Sequence, residues 1–134
     1  MPDARPPASP VPRHVFVYGT LRSGGSNDIA RYVPSPLFIG VGVVAGTLFD
    51  LGAYPGAVLG GEGLVHGEVY CITRGVEAAL DVLEGVVEDG SGEYAKREVR
   101  VDVGGAVFEC LAYEIQATRI AGRPVIASGD WMKR

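Results

Sequence analysis

The sequence predicts an α+β domain in which a small mixed sheet curls into a β-barrel with short flanking helices. Short β-type segments, many of them bounded by glycines, occupy most of the chain after residue 13. Only the segment between Thr73 and Gly85 has a clear helical repeat of apolar residues. The chain has 134 residues, 47% of them hydrophobic, which suits one globular core. We therefore expect a single folded domain over residues 14–134.

Residues 1–13 are rich in proline and precede this domain. Proline has no backbone N–H to donate to a helix or a sheet. We expect a disordered tail, and its lack of an apolar stretch argues against a secretory signal. The prolines are Pro2, Pro6, Pro7, Pro10 and Pro12.

The first predicted strand, His14 to Tyr18, is apolar and β-branched, and Gly19 ends it. A short helix is expected over residues 27–32. Later strands are separated by glycine-rich turns, of which Gly104-Gly105 is typical of a hairpin. They are predicted over residues 37–52, 57–59, 63–72, 97–103 and 106–115.

The predicted helix carries a candidate catalytic carboxyl group at its end. Val76, Leu80 and Leu83 recur at helical spacing and form an apolar stripe. Glu84 follows Leu80 by four residues, so it lies on the rim of that stripe as the last helical residue. Partial burial and the negative end of the helix dipole should both raise its pKa. Glu84 is therefore a candidate proton-transfer group, and the alternative is an ordinary solvated surface glutamate.

The segment "YGTLRSGG" offers backbone N–H groups where the first strand ends, an arrangement that can bind a carboxylate or an oxyanion. Many such turns bind nothing, so this signal is weak alone. The segment lacks the Lys-Ser/Thr ending of a P-loop. "GVGVVAG" at 40–46 has the spacing of a dinucleotide-binding motif, but no helix follows to receive a pyrophosphate.

Composition argues against several classes of function. The formal net charge of −4 offers no basic stripe for nucleic acid or an anionic membrane. No apolar run is long enough to cross a bilayer, and we expect a cytoplasmic protein. Cys71 and Cys110 lie in apolar segments and are expected to be reduced and buried. The two histidines, His14 and His66, are too few and too far apart in the sequence to define a catalytic dyad, and no metal-ligand cluster is present.

Seven segments together resemble the γ-glutamylcyclotransferase-like (AIG2-like) family, which includes γ-glutamylamine cyclotransferase. The resemblance covers Val15 to Trp131. In chain order the segments are "VFVYGTLRSGGSN", "GTLFDLGAYPGAV", "VHGEVYCI", "LDVLEG", "EYAKREVRV", "CLAYEI" and "SGDW".

This resemblance implies a cofactor-independent reaction in which the α-amine of a γ-glutamyl group attacks its own γ-carbonyl. The ring closes as 5-oxoproline, and the amine or amino acid leaves. By resemblance Glu84 is the catalytic acid and base. Tyr113 and Tyr94 would line the pocket, although for a buried tyrosine a core position with a satisfied hydroxyl is the alternative. The γ-glutamyl group would be held by the loop residues Tyr18, Gly19, Thr20 and Leu21.

One position departs from the family pattern, in which an arginine usually lies two residues after the tyrosine. Lys96 occupies this place and lacks the planar fork of a guanidinium. Arg97 should face the opposite side of the strand.

The loop at 86–94 is expected to shape the pocket. A non-catalytic module that binds a carboxylate-bearing small molecule or peptide end remains the alternative function, and the sequence leaves the leaving group and the oligomeric state open.

Overall fold

The computed structural model describes residues 13–87 and 92–134, which form one five-stranded sheet and, within these ranges, one α-helix. Most of the predicted tail lies outside the described residues, but Arg13 is the first residue of a strand. The strands are β1 (Arg13–Val17), β2 (Leu37–Asp50), β3 (Pro55–Ile72), β4 (Tyr94–Val103) and β5 (Ala106–Ile115). The α-helix is α1 (Arg74–Leu83), and single-turn 3₁₀ helices cover Ile29–Arg31, Ala117–Arg119 and Trp131–Lys133.

Strand β1 lies at the centre of the sheet, whose order is β2-β3-β1-β5-β4. It pairs antiparallel with β3 and parallel with β5, so Val15 lies between Tyr70 and Leu111. Phe16 and Val17 are at most 2% exposed, because side chains cover both faces of this strand. The chain therefore leaves the sheet at the end of β1 from a rigid, fully packed position.

The sheet is open, so the predicted closed barrel is not confirmed. The edge strands β2 and β4 share no ladder among the residues the structure describes, yet they touch through side chains. A Cβ added at Gly40 would lie 2.4 Å from Cγ1 of Val103, and one at Gly42 would lie 2.5 Å from Cγ1 of Val101. Glycine thus lets the two edges pack closely, and apolar packing replaces the hydrogen bonds that would close a barrel.

The two strands predicted at 57–59 and 63–72 are one continuous strand, β3. Its pairing with β2 skips from Leu59 to Leu64, which face the adjacent residues Gly46 and Ala45. The residues between them bulge out, and Gly60 and Gly61 adopt φ values of +94° and +84°. The glycines that suggested a chain break therefore form a bulge within one strand.

Helix α1 begins and ends where the sequence predicts. The Thr73 side chain caps its first turn by accepting a hydrogen bond from Val76 N–H at 3.2 Å. Gly85 ends it with a φ of +64°. Glu84 is the C-cap residue rather than part of the last helical turn. Within the described ranges, no helix has the length and apolar character needed to span a membrane.

We expect Gly42→Ala to lower the free energy of unfolding by about 1–3 kcal/mol, because the new methyl group would overlap the buried side chain of Val101. Gly75→Ala is the matched control. It lies in α1, where the nearest atom to an added Cβ is Thr73 Oγ1 at 3.8 Å, so stability should be unchanged or slightly higher. Urea denaturation measures both, and a Gly42→Ala protein as stable as the wild type would show that the edges do not pack.

Candidate active site

A cavity of about 290 Å³ opens where the chain leaves β1. Its wall is formed by the loop after β1, the turn between β2 and β3, the end of α1 and residues at the adjoining ends of β4 and β5. The structure adds polar lining residues that the sequence did not suggest, namely Ser26, Asn27 and Tyr54. Glu93 also lines the cavity and belongs to the loop predicted at 86–94, of which residues 88–91 lie outside the described residues. The predicted site residues all line this cavity: Tyr18, Gly19, Thr20, Leu21, Glu84, Tyr94 and Tyr113.

The loop after β1 uses its carbonyl groups internally and leaves its amides available. The carbonyls of Gly19, Thr20 and Leu21 accept hydrogen bonds of 2.9–3.0 Å from amides further along the loop. In the described part of the chain, the N–H groups of these three residues donate to no protein acceptor. Successive available amides at a cavity wall can bind a carboxylate or a developing oxyanion.

Arg22 anchors this loop through a buried ionic network. Its Nη1 donates to Asp130 Oδ1 at 2.7 Å, and its Nε donates to Glu68 Oε2 at 3.2 Å. Glu68 also accepts from Ser23 N–H and from the Tyr70 hydroxyl, both at 2.9 Å. The side chains of the three charged residues are 9–12% exposed. The loop is therefore fixed to β3 and to the C-terminal segment.

Glu84 presents a half-buried carboxyl group to the cavity, and this group has no hydrogen bond or ion pair within the described ranges. Burial, and then the charge of Glu93, raise its pKa to about 7. The direction and the effect of burial agree with the sequence prediction, and the charge of Glu93 is a further cause that the sequence did not suggest. Four tyrosines have raised pKa values caused mainly by burial and also by the charge of Glu84: Tyr18, Tyr32, Tyr94 and Tyr113.

The tyrosine hydroxyl groups around the cavity donate their protons within the protein. Tyr94 donates to the Pro55 carbonyl at 2.6 Å, and Tyr113 donates to Asp81 Oδ1 at 2.6 Å. Tyr18 donates to the Tyr113 carbonyl at 2.5 Å. The sequence offered two alternatives for Tyr94 and Tyr113, a core position with a satisfied hydroxyl or a position in the pocket wall. Both descriptions apply, because the hydroxyl groups are hydrogen-bonded within the protein and the rings line the cavity. These residues offer ring surface to a ligand, and their hydroxyl protons are already engaged.

Lys96 acts behind the cavity wall rather than on it. Its Nζ donates to Glu77 Oε2 at 2.6 Å and to Asp81 Oδ2 at 3.0 Å, so it joins β4 to α1. A single ammonium group serves both carboxylates without the planar geometry of arginine. Arg97 instead pairs with Glu114 at 3.0 Å. It thus has partners different from those of Lys96, as strand alternation predicts.

No metal site is found in the described residues, and neither cysteine lines the cavity. No group of three or more histidine, cysteine, aspartate or glutamate side chains there is placed to hold a metal ion. Both cysteines are free thiols, and Cys110 is buried as predicted, whereas Cys71 is only partly buried. Burial raises the pKa of Cys110 to about 11, which keeps it protonated near neutral pH. The titratable chemistry of the cavity therefore centres on its carboxyl groups.

Comparison with known proteins gives consistent matches over nearly the whole chain. A family model described as "Gamma-glutamyl cyclotransferase, AIG2-like" matches residues 15–133. The γ-glutamylcyclotransferase family protein YtfP of Citrobacter rodentium is 36% identical over 121 residues, which are 90% of this chain and 96% of the relative.

Two solved structures have the same fold. The solution structure of Escherichia coli YtfP is 34% identical, with a TM-score of 0.66 over 90% of this chain and 97% of that one. YkqA of Bacillus subtilis is 27% identical with a TM-score of 0.71 over 91% of this chain. This chain spans only 40% of the length of YkqA.

The raised pKa of Glu84 predicts that the ionised carboxyl group lowers the free energy of unfolding at neutral pH. Its folded-state pKa of about 7 exceeds the ordinary value of 4.5, so the folded protein binds more protons between these values. The contribution of Glu84 to stability therefore falls as the pH rises through this range. Glu84→Gln should gain stability relative to the wild type as the pH rises from about 5 to 8.

Thermal unfolding of both proteins across this range measures the gain. Glu109→Gln removes the same charge from an exposed position on β5, with a side chain 68% exposed, and serves as the control. A difference between Glu84→Gln and wild type that does not change with pH would contradict the raised pKa.

Proposed function

This chain belongs to the gamma-glutamyl cyclotransferase, AIG2-like family, and we propose that it is an enzyme that cleaves γ-glutamyl amines or γ-glutamyl amino acids by intramolecular cyclisation. The main support is the carboxyl group of Glu84, which has no partner among the described residues and shares one cavity with the available amides of residues 19–21. A proton-transfer group and an anion-binding loop are the two components that this reaction requires.

The proposed reaction needs no added nucleophile, water or redox partner. The α-amino nitrogen of the γ-glutamyl group attacks the γ-carbonyl carbon, and the new C–N bond closes a five-membered ring. The bond from that carbon to the original amide nitrogen then breaks. The products are 5-oxoproline and the free amine, and one proton passes from the attacking nitrogen to the leaving nitrogen.

Glu84 would carry that proton. As a carboxylate it accepts the proton from the attacking amine, and as a carboxylic acid it delivers the proton to the leaving nitrogen. A group that serves in both directions works best when its pKa lies near the operating pH. The pKa of about 7 that burial and Glu93 produce meets this condition, whereas an ordinary exposed glutamate does not.

The loop after β1 would hold the substrate. The amides of Gly19, Thr20 and Leu21 would bind the carboxylate of the γ-glutamyl group, with the anchored Arg22 keeping them in place. The rings of Tyr94 and Tyr113 would pack against its carbon chain. This arrangement would place the γ-carbonyl within reach of the end of α1.

We expect release of 5-oxoproline from at least one member of a panel of γ-glutamyl amides. Glu84→Gln should lower kcat by about 10²- to 10⁴-fold, because a neutral amide cannot accept the proton. Substrate binding, measured by calorimetry, should persist. Glu109→Gln on the distant surface of β5 controls for the loss of one charge and should leave kcat unchanged.

Near-normal turnover by Glu84→Gln would refute the role of the carboxyl group. Folded wild-type protein that binds a panel member without releasing 5-oxoproline would instead favour the non-catalytic carboxylate-binding module.

The pH dependence of kcat/KM should report the pKa of Glu84. Activity requires the carboxylate form in the free enzyme, so kcat/KM should fall as the pH drops through about 7. Glu93→Gln removes a charge that raises this pKa, so its acidic limb should lie at lower pH than that of the wild type. An acidic limb near the ordinary pKa of 4.5 in the wild type would contradict the assignment.

A further inference from the structure

Thr20 brings two different groups to the cavity, its backbone amide and its side-chain hydroxyl group. The residue lies three positions after the end of β1, lines the cavity and is partly buried. The proposed cyclisation uses the amide to bind the carboxylate of the substrate and gives the hydroxyl group no task. The surroundings of this hydroxyl group indicate what it can do.

Asn27 makes the Thr20 hydroxyl group a donor for other partners. Asn27 Nδ2 donates to Thr20 Oγ1 at 3.1 Å, so the hydroxyl oxygen is the acceptor in this pair. A hydroxyl group also has one proton to donate. Among the residues that the structure describes, the Thr20 proton has no protein acceptor, whereas the tyrosine hydroxyl groups that line the cavity all donate within the protein. The Thr20 proton is therefore available to a ligand.

Backbone contacts hold Thr20 and Asn27 in this arrangement. The Asn27 N–H donates to the Thr20 carbonyl at 2.9 Å, so the backbone and the side chain of Asn27 bind the same residue. A Cβ added at Gly25 would lie 2.3 Å from Thr20 O, which shows how closely the loop packs against this carbonyl. The branched threonine side chain also has few χ1 rotamers. The hydroxyl group is therefore positioned before a ligand binds, as an effective catalytic donor must be.

The cyclisation moves a negative charge onto the γ-carbonyl oxygen. The α-amino nitrogen attacks the γ-carbonyl carbon, and the π electrons of the carbonyl group move to its oxygen. Glu84 takes a proton from the attacking nitrogen and becomes neutral. When the carbonyl group forms again, the bond to the leaving nitrogen breaks and Glu84 returns the proton to that nitrogen. A donor placed at this oxygen lowers the barrier, because the full charge develops only on the way to the oxyanion.

We propose, building on the cyclisation described above, that the Thr20 hydroxyl group donates a hydrogen bond to the γ-carbonyl oxygen and stabilises the oxyanion. Thr20 is then a catalytic residue through its side chain as well as a binding residue through its amide. Asn27 is a positioning residue, since its hydrogen bond to Thr20 Oγ1 directs the hydroxyl proton toward the substrate and polarises the O–H bond. Both residues line the same cavity as Glu84.

The competing hypothesis is that the Thr20 hydroxyl group binds the substrate carboxylate together with the amides. That contact is equally strong in the bound substrate and in the transition state, so its loss raises KM and leaves kcat unchanged. A contact with the γ-carbonyl oxygen strengthens as the charge develops, so its loss lowers kcat and kcat/KM to the same extent. Steady-state kinetics therefore distinguish the two hypotheses.

Thr20→Val removes the hydroxyl group and keeps both the branched shape and the backbone amide. We expect its kcat to fall about 10²-fold, with KM within about 2-fold of the wild-type value. Thr20→Ser keeps a hydroxyl group and should retain kcat within about 3-fold. Ser23→Ala is the control, because it removes a hydroxyl group from an exposed position of the same loop outside the cavity lining, and its kcat should be unchanged. An unchanged kcat in Thr20→Val, or a raised KM alone, would overturn the proposal.

A double-mutant cycle tests whether Asn27 acts through Thr20. Asn27→Ala should lower kcat about 10-fold, because the released hydroxyl group can turn away from the substrate. In the Thr20→Val background the same change should not lower kcat further, since no hydroxyl group is left to orient. A purely structural role would lower kcat in both backgrounds, and this result would overturn the positioning role of Asn27. Thermal unfolding of each variant checks that it is folded.

Two unreactive ring acids allow the same contact to be measured without turnover. Cyclopentanecarboxylate and 3-oxocyclopentanecarboxylate differ by one carbonyl oxygen, which corresponds to the lactam oxygen of 5-oxoproline. In calorimetry the wild type should bind the keto acid at least about 3-fold more tightly, because a hydrogen bond is gained. Thr20→Val should bind both acids equally.

These measurements separate failure of this inference from failure of the proposed reaction. Release of 5-oxoproline that is unchanged in Thr20→Val would refute the role of the hydroxyl group and leave the cyclisation standing. A wild type that releases no 5-oxoproline, but shows a preference for the keto acid that Thr20→Val loses, would refute the cyclisation and support the hydroxyl group as a donor. No release and equal binding of the two acids by the wild type would refute both.

Discussion

The cavity depends on the buried guanidinium group of Arg22. This side chain holds the loop after β1 against Glu68 of β3 and Asp130 near the C-terminal end, in a network that is almost closed to solvent. Removing one partner from such a network leaves a buried charge without compensation, which is strongly destabilising. The network therefore fixes the loop that lines the cavity, and it does so with residues from distant parts of the sequence.

Helix α1 carries the carboxylates of Glu77 and Asp81, its C-cap residue Glu84 adds a third, and the different partners of these groups explain the position of Glu84. Glu77 and Asp81 both accept hydrogen bonds from Lys96, which fastens the helix to β4. Glu84 lies one turn further along and has no such partner in the described chain. The paired residues hold the helix in place, so the unpaired one is presented at the cavity at some cost in stability. A partly buried carboxyl group with a raised pKa in a cavity is a common feature of functional sites.

Local features were predictable from the sequence, and contacts between distant segments were not. The caps at Thr73 and Gly85 follow from the chemistry of single residues, and the structure confirms them. The loop at 86–94 was expected to shape the cavity, and Glu93 does line it, but the hydrogen bond from Tyr54, which is 39 residues away, could not be predicted. The open sheet was mistaken for a barrel because glycine-rich strands indicate curvature, whereas hydrogen bonding between the edges depends on tertiary packing.

The hydrogen bonds of the tyrosines explain why one carboxyl group would have to perform both proton transfers. The hydroxyl protons of Tyr18, Tyr94 and Tyr113 are donated to protein acceptors, and burial raises the pKa of each further above its ordinary value. These groups therefore stay protonated near neutral pH and cannot act as bases. Glu84 differs from them because the same burial brings its pKa to about 7. Burial around the same cavity thus keeps the phenol groups neutral and brings the pKa of the carboxyl group close to neutral pH, where it can both accept and release a proton.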